Sequence, residues 1–169
     1  MGDLNLWTLF SIFLGVIGLA IALILYLTIK KKSPGSALMI EISEAIHSGA
    51  MVFLRREYIY ISVFVAVVFI ILWQLFTIYT ALAFLTGAAC SMLAGFIGMK
   101  GSTRSSVRTT QAAIEAGTPL ALSTALRGGA IMGLSVASLG LAGLGLFFFF
   151  TKNPLIINGF AMGASSEIG

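Results

Sequence analysis

Charge is scarce in this sequence of 169 residues: 9% are Asp, Glu, Lys or Arg, while 59% are hydrophobic. A soluble domain carries about 25% charged residues, and a globule of this size has too little interior to hide so much apolar surface from water. Acidic residues are fewest, only Asp3, Glu41, Glu44, Glu57, Glu115 and Glu167. None lies at the centre of a long apolar run, so the usual mark of an ion path through a membrane is missing. Their spacing offers no set of converging carboxylates of the kind that holds a divalent metal against a phosphate substrate. His47 is the single histidine; it is one helical turn from Glu44 and positioned to pair with it. Cys90 is the single cysteine, which excludes an intrachain disulfide and leaves a small packing residue. No Lys or Arg precedes the first apolar run, so the basic start of a secretory signal is absent, and that run reads as a retained membrane span. The net charge of +4 builds no basic face with interleaved aromatics, so no nucleic-acid partner is expected.

What is abundant is apolar run length. Four segments, about 6–29, 58–79, 81–99 and 129–150, each have enough residues to cross a hydrocarbon core of about 30 Å as a helix. They lack the two-residue alternation of barrel strands. The expected fold is all-α, a polytopic transmembrane helical bundle in one domain spanning 1–169, with four complete spans and the start of a fifth helix from about Pro154. The lipid bilayer is therefore its first partner. Lys30, Lys31, Lys32, Arg55 and Arg56 lie between spans one and two, and Lys100, Arg104, Arg108 and Arg127 between spans three and four, against Lys152 alone on the other side. That bias puts both basic loops in the cytoplasm and the N-terminus on the opposite side. Tyr58, Tyr60, Trp73 and Tyr79 sit as interfacial anchors near the ends of span two.

Finer patterns predict how the spans pack. Span two is bulky, lacks glycine and should face lipid over much of its surface. Gly87, Ser91 and Gly95 in span three, and Gly129, Gly133 and Ala137 in span four, recur every four residues and should let helix backbones approach closely. Ser33-Pro34 should cap and open a cytoplasmic surface helix over Ser33 to Glu57, with Met39, Ile42, Ile46, Ala50 and Phe53 on one face. Thr118-Pro119 and Asn153-Pro154 repeat that cap-then-proline signature. Arg55-Arg56-Glu57-Tyr58 reads as an anchor with an ion pair. Arg104, Arg108 and Arg127 form a basic set that either attracts an anion or other loops, or sets topology and meets lipid headgroups. Lys100-Gly101-Ser102-Thr103 has the wrong order for a phosphate loop, and Gly140, Gly143 and Gly145 do not form a dinucleotide fingerprint.

Four longer strings carry a resemblance. Gly49-Ala50-Met51-Val52-Phe53-Leu54-Arg55-Arg56-Glu57-Tyr58 resembles the start of the second span in membrane-bound, ion-pumping inorganic pyrophosphatases. Gly95-Phe96-Ile97-Gly98-Met99, then Thr103-Arg104, Val107-Arg108-Thr109 and Gln111-Ala112-Ala113, resembles that family's third span and following loop. Gly128-Gly129-Ala130-Ile131-Met132-Gly133-Leu134 resembles its fourth span, and Gly159-Phe160 with Gly163-Ala164-Ser165-Ser166 the opening of its fifth. Val52, Ser102, Ser105 and Ser106 depart modestly from the family pattern, and Glu167-Ile168-Gly169 stands where the family continues toward aspartate-rich motifs.

The resemblance implies a complete protein that hydrolyses pyrophosphate on the cytoplasmic side, uses magnesium, pumps protons or sodium and forms a homodimer. It implies that this chain is the N-terminal, mostly outer-ring part of such a pump, partnered by the missing C-terminal helices. No catalytic, cofactor-binding or metal-binding residue is then expected in this chain, no cofactor is expected to be bound by it, and the chain alone should be inactive. The alternative reading is an independent small, non-catalytic integral membrane protein or subunit.

Overall fold

The computed structural model describes residues 2–152 and 154–166. The expected cap at Asn153 and the closing residues 167–169 lie outside the described residues. Four helices follow one another: α1 (Gly2–Lys30), α2 (Ala37–Leu75), α3 (Ile78–Thr151) and α4 (Pro154–Ala164). Among the described residues there is no strand, as expected where lipid offers backbone groups no alternative hydrogen-bond partner. Three helices, α1, α2 and α3, are long and apolar enough to cross a membrane.

The expected count of four spans and a fifth is not matched helix for helix, because runs 81–99 and 129–150 fall within α3 alone. Two residues break that element, Ala116 (φ −141°, ψ 16°) and Gly117 (φ 72°, ψ −165°). The Gly117 conformation is open essentially to glycine only. Pro119 follows two residues later, where its missing N–H falls among first-turn donors that have no intrahelical partner. The helix start expected at Thr118-Pro119 is therefore present. Across the break the two arms, 78–115 and 118–151, fold back on each other. A Cβ on Gly98 would press on the Met132 side chain and one on Gly101 on Ile131, while one on Gly128 would overlap Ser105 and one on Gly143 would lie 3.1 Å from the Cys90 sulfur. Residues about equally far before and after the break face each other, which makes the arms an antiparallel hairpin.

The other helices pack on this hairpin. α1 runs antiparallel to the 118–151 arm, with a Gly15 Cβ position 2.7 Å from the Ala142 Cβ, and with Gly18 against Ser138 and Gly145 against Ser11 and Ile12. α2 runs antiparallel to the 78–115 arm; Val65 and Leu72 share a buried cluster with Ala81, Phe84 and Ala88, and the Tyr58 hydroxyl donates to the Met92 carbonyl. α4 runs parallel to the same arm and touches it through backbone. A side chain on Gly163 would overlap the Phe84 carbonyl, one on Gly87 would overlap the Phe160 carbonyl, and one on Gly159 would lie 2.7 Å from the Thr80 carbonyl. Helices in lipid gain nothing from hiding apolar groups, so this close van der Waals contact is what holds them together.

Several expectations are corrected. In span four, Gly129, Gly133 and Ala137 are exposed, and a Cβ added at either glycine meets nothing within 4 Å. The packed stripe is Gly128, Ile131, Ser135, Ser138 and Gly145, all buried, about 100° around the helix from the anticipated one. In span three, Gly87 of the expected stripe is buried while Ser91 and Gly95 are half-buried, and Ala94 and Gly98 are buried beside them. α2 starts from Ser36, whose hydroxyl accepts from the Met39 amide, so Ser33 and Pro34 precede the helix and Ser33 instead accepts from the Gly35 amide. α2 is also continuous over its 39 residues. At 1.5 Å per residue this is about 58 Å, nearly twice the hydrocarbon thickness. Its first half is thus a continuous extension of span two packed on α3, with Ser43 and Leu54 buried and Ile42, Ile46 and Phe53 left exposed. Span two ends at Leu75, so Tyr79 belongs to the first turn of α3, which Thr77 caps. As expected, span two is mostly open: between 58 and 75 only Val65 and Leu72 are buried.

The hairpin reading has a direct test. Gly117→Ala, which adds a methyl group in open space but in a strained backbone conformation, is expected to destabilise the fold by about 1–3 kcal/mol. Gly129→Ala, at an open helical position, should be neutral or stabilising by up to ~1 kcal/mol. Detergent-denaturation curves followed by circular dichroism compare the two, and equal losses would count against the break at residue 117.

Candidate functional site

The residues with chemistry gather at one end of the bundle, where α1 finishes, α2 begins and the two arms of α3 meet. Arg108 is central. Its Nε donates to the Lys32 carbonyl (3.1 Å), one terminal nitrogen to the Lys30 carbonyl (3.3 Å) and the other to the Arg104 carbonyl (2.7 Å). The last carbonyls of a helix have no partner within it, and they carry the negative end of the helix dipole. A planar guanidinium with several fixed donors suits that position, and here α3 supplies it to α1. Burial pushes the Arg108 guanidinium down from its ordinary range, and the Arg104 charge beside it pushes the same way.

Neighbouring contacts tie the remaining elements. The Lys32 ammonium donates to the Thr124 hydroxyl at 2.8 Å, joining the end of α1 to the second arm of α3. Arg104 pairs with Glu44 across α2 and α3. That hydrogen bond, foremost, holds the Glu44 carboxyl below the usual carboxylate range. His47 does not pair with Glu44; its Nδ1 lies 2.7 Å from the Thr103 hydroxyl. Thr103 spends its own proton on the Met99 carbonyl (2.9 Å). With the Thr103 proton on that carbonyl, the Nδ1–H tautomer of His47 donates to the Thr103 oxygen.

Two members of the basic set meet other segments of the chain. Arg104 and Arg108 are engaged by a carboxylate and by carbonyls, so they act as structural ties, while Arg127 is exposed. Among the described residues Arg104–Glu44 is the one ion pair, so the pair anticipated around Arg55, Arg56 and Glu57 does not form. The described residues contain no group of three or more His, Cys, Asp or Glu side chains placed to hold a metal. The structure brings the two basic loops to one end of the bundle. Sequence reasoning missed the Arg108 clamp on α1, and also the Lys32–Thr124 bond. The signal available was a lone arginine one turn after Arg104 on a helix extended beyond the apolar run.

The family model described as inorganic H+ pyrophosphatase matches residues 16–168. A Clostridium tetani protein provisionally named as a K(+)-stimulated pyrophosphate-energized sodium pump is 42% identical over 163 residues, covering 93% of this chain and 23% of that protein. A K(+)-insensitive pyrophosphate-energized proton pump of Pyrobaculum aerophilum is 36% identical over 155 residues (88% of this chain, 22% of that protein). A second proton pump of the K(+)-insensitive kind, from Moorella thermoacetica, is 39% identical over 159 residues (89% and 23%). The chain therefore spans less than a quarter of the length of these curated relatives. The resemblance drawn from residues 49–166 holds, and the match extends it back to residue 16.

The clamp predicts a graded loss. Arg108→Ala should destabilise the bundle by about 2–3 kcal/mol, in line with hydrogen bonds from a charged donor, and should speed tryptic cleavage at Lys30 to Lys32. Arg108→Lys should recover only part, since one ammonium cannot span three carbonyls in that geometry. Unchanged stability and unchanged cleavage in Arg108→Ala would show that the contact is incidental.

Proposed function

The chain belongs to the inorganic H+ pyrophosphatase family, and from that membership we propose that it is the N-terminal membrane scaffold of a pump that couples pyrophosphate hydrolysis to proton or sodium transport. The observation that carries this reading is a family match across nearly the whole chain in a protein that spans about 23% of its relatives' length. The same breadth of similarity disfavours an unrelated small membrane protein. In this reading α1, the 58–75 part of α2 and the two arms of α3 are four spans, and α4 opens a fifth. The basic end faces the cytoplasm and the N-terminus the opposite side, in keeping with the lysine and arginine bias. The long extensions of α2 and α3 then stand on the side where pyrophosphate is hydrolysed.

The chemistry lies elsewhere in the complete protein. Phosphoryl transfer from pyrophosphate needs metal ions that bridge and neutralise phosphate oxygens, held by converging carboxylates. Among the described residues the donor set does not fit that task. Glu44 is committed to Arg104, and Glu41 and Glu115 are exposed on separate elements, with Gln111 donating to Glu115. Magnesium therefore belongs with residues outside this chain, and so does the ion path, since no acidic residue lies within the spans. A homodimer of the complete pump is part of the same proposal.

Two experiments test this. Purified in detergent with magnesium pyrophosphate, the chain should release no phosphate above a protein-free blank. Steady release proportional to protein would put the catalytic groups inside it. For orientation, Lys31→Cys and Arg127→Cys, each in a Cys90→Ser background, should react with a membrane-impermeant maleimide only after the cells are opened. Labelling of both in intact cells would invert the topology.

A further inference from the structure

Between α1 and the 78–115 arm of α3 there is a groove of about 240 Å³, floored by the 118–151 arm. Leu19, Leu23 and Tyr26 line one wall, Phe96 and Lys100 the other, and Ser135 the floor. Ser135 is fully buried and gives its proton to the Ile131 carbonyl at 2.7 Å, so it offers no donor to an occupant. The groove is thus apolar along its length. Its polar groups are confined to one end: following the helix directions, Tyr26 and Lys100 are the lining residues nearest the basic end of the bundle. The Lys100 ammonium lies 5.7 Å from the Phe96 ring centroid, and among the described residues it forms no ion pair. Lys30 and Lys31 are exposed nearby at the end of α1, and the one acidic side chain engaged in the region, Glu44, is taken by Arg104.

We infer that this groove is a binding site for an anionic glycerophospholipid of the surrounding bilayer, with one acyl chain between α1 and α3 and the phosphate at Lys100 and Tyr26. Size selects the occupant. A volume of about 240 Å³ falls below the roughly 300–1,000 Å³ of small-molecule pockets, which also have polar groups converging on the ligand. A single hydrocarbon chain needs only a narrow apolar slot. Charge selects the headgroup, because basic residues at the headgroup level between spans attract anionic lipid. The ring of Phe96 under Lys100 adds a direction: a lysine stem lying along an aromatic surface keeps its ammonium at the level where phosphates sit. The inference rests on the membrane location and the groove, and is independent of pumping or hydrolysis.

The test uses the whole chain with Trp7→Phe, Trp73→Phe and Phe96→Trp, which leaves one tryptophan, on the groove wall. It is reconstituted in phosphatidylcholine vesicles, and its fluorescence is quenched with increasing fractions of brominated phosphatidylglycerol or brominated phosphatidylcholine. The anionic lipid should quench at a mole fraction about fivefold lower, the effect expected of one lysine close to an anionic surface. Lys100→Gln should abolish that preference, whereas Lys100→Arg and Lys31→Gln should retain it. Circular dichroism confirms that each variant is helical. Equal quenching by the two lipids, a preference that survives Lys100→Gln, or no quenching by either lipid would each overturn the site.

Discussion

A peptide group in hydrocarbon has no partner except another peptide group, and this constraint governs nearly everything in the structure. It makes every apolar run a helix. It also removes the ordinary reason for helices to associate, because a leucine is as well solvated by lipid as by another leucine. What remains is contact distance. The seams that hold the bundle are therefore lines of Gly, Ala and Ser: Gly15 and Gly18 on α1, Gly98 and Gly128 across the hairpin, and Gly87, Gly159 and Gly163 where α4 lies on α3. Bulky residues such as Phe64, Ile70 and Trp73 are turned outward, which would be a fault in water and is natural in a bilayer.

Where the helices leave the hydrocarbon, the rule changes and so does the chemistry. Beyond the apolar runs, α2 and the two arms of α3 continue as extensions bound by polar contacts. Arg108 closes the end of α1, Arg104 meets Glu44, His47 meets Thr103 and Lys32 reaches Thr124. The chain thus has two kinds of adhesive, small-residue contact within the membrane and hydrogen-bonded charge outside it. Neither resembles a catalytic centre. Arg104, Arg108 and His47, which a motif search would single out as reactive, are hydrogen-bonded to other helices or their ends.

Much of this was legible in the sequence because it follows from run length and from one-dimensional charge. The helical class, the first span, the turn before Pro119, the lipid-facing character of span two and the start of a helix near Pro154 all came from such signals. The misjudgements share a cause. A four-residue spacing identifies stripes of small residues but does not say which of two adjacent stripes meets a neighbour, so Gly129 and Gly133 were favoured over Gly128 and Ser135. The Ser33-Pro34 pair satisfied the rule for a helix start, yet Ser36 lay close enough to compete and its hydroxyl reaches the Met39 amide. Hydropathy could not see that the 37–57 helix joins span two without a break. The Arg108 clamp depends on two segments far apart in sequence coming together, which no local pattern encodes. The family, by contrast, was recoverable from ordered strings of residues, because those strings record a shared ancestry that periodicity does not.

The Arg108 clamp bears on how the chain is assembled during synthesis. The guanidinium that closes α1 lies 78 positions beyond the Lys30 carbonyl it binds. As the ribosome adds residues, α1 enters the bilayer with its final carbonyls answered only by water, and it stays so until α2 and the first arm of α3 have emerged. The bond that closes α1 can therefore form only after the first arm of α3 has been made.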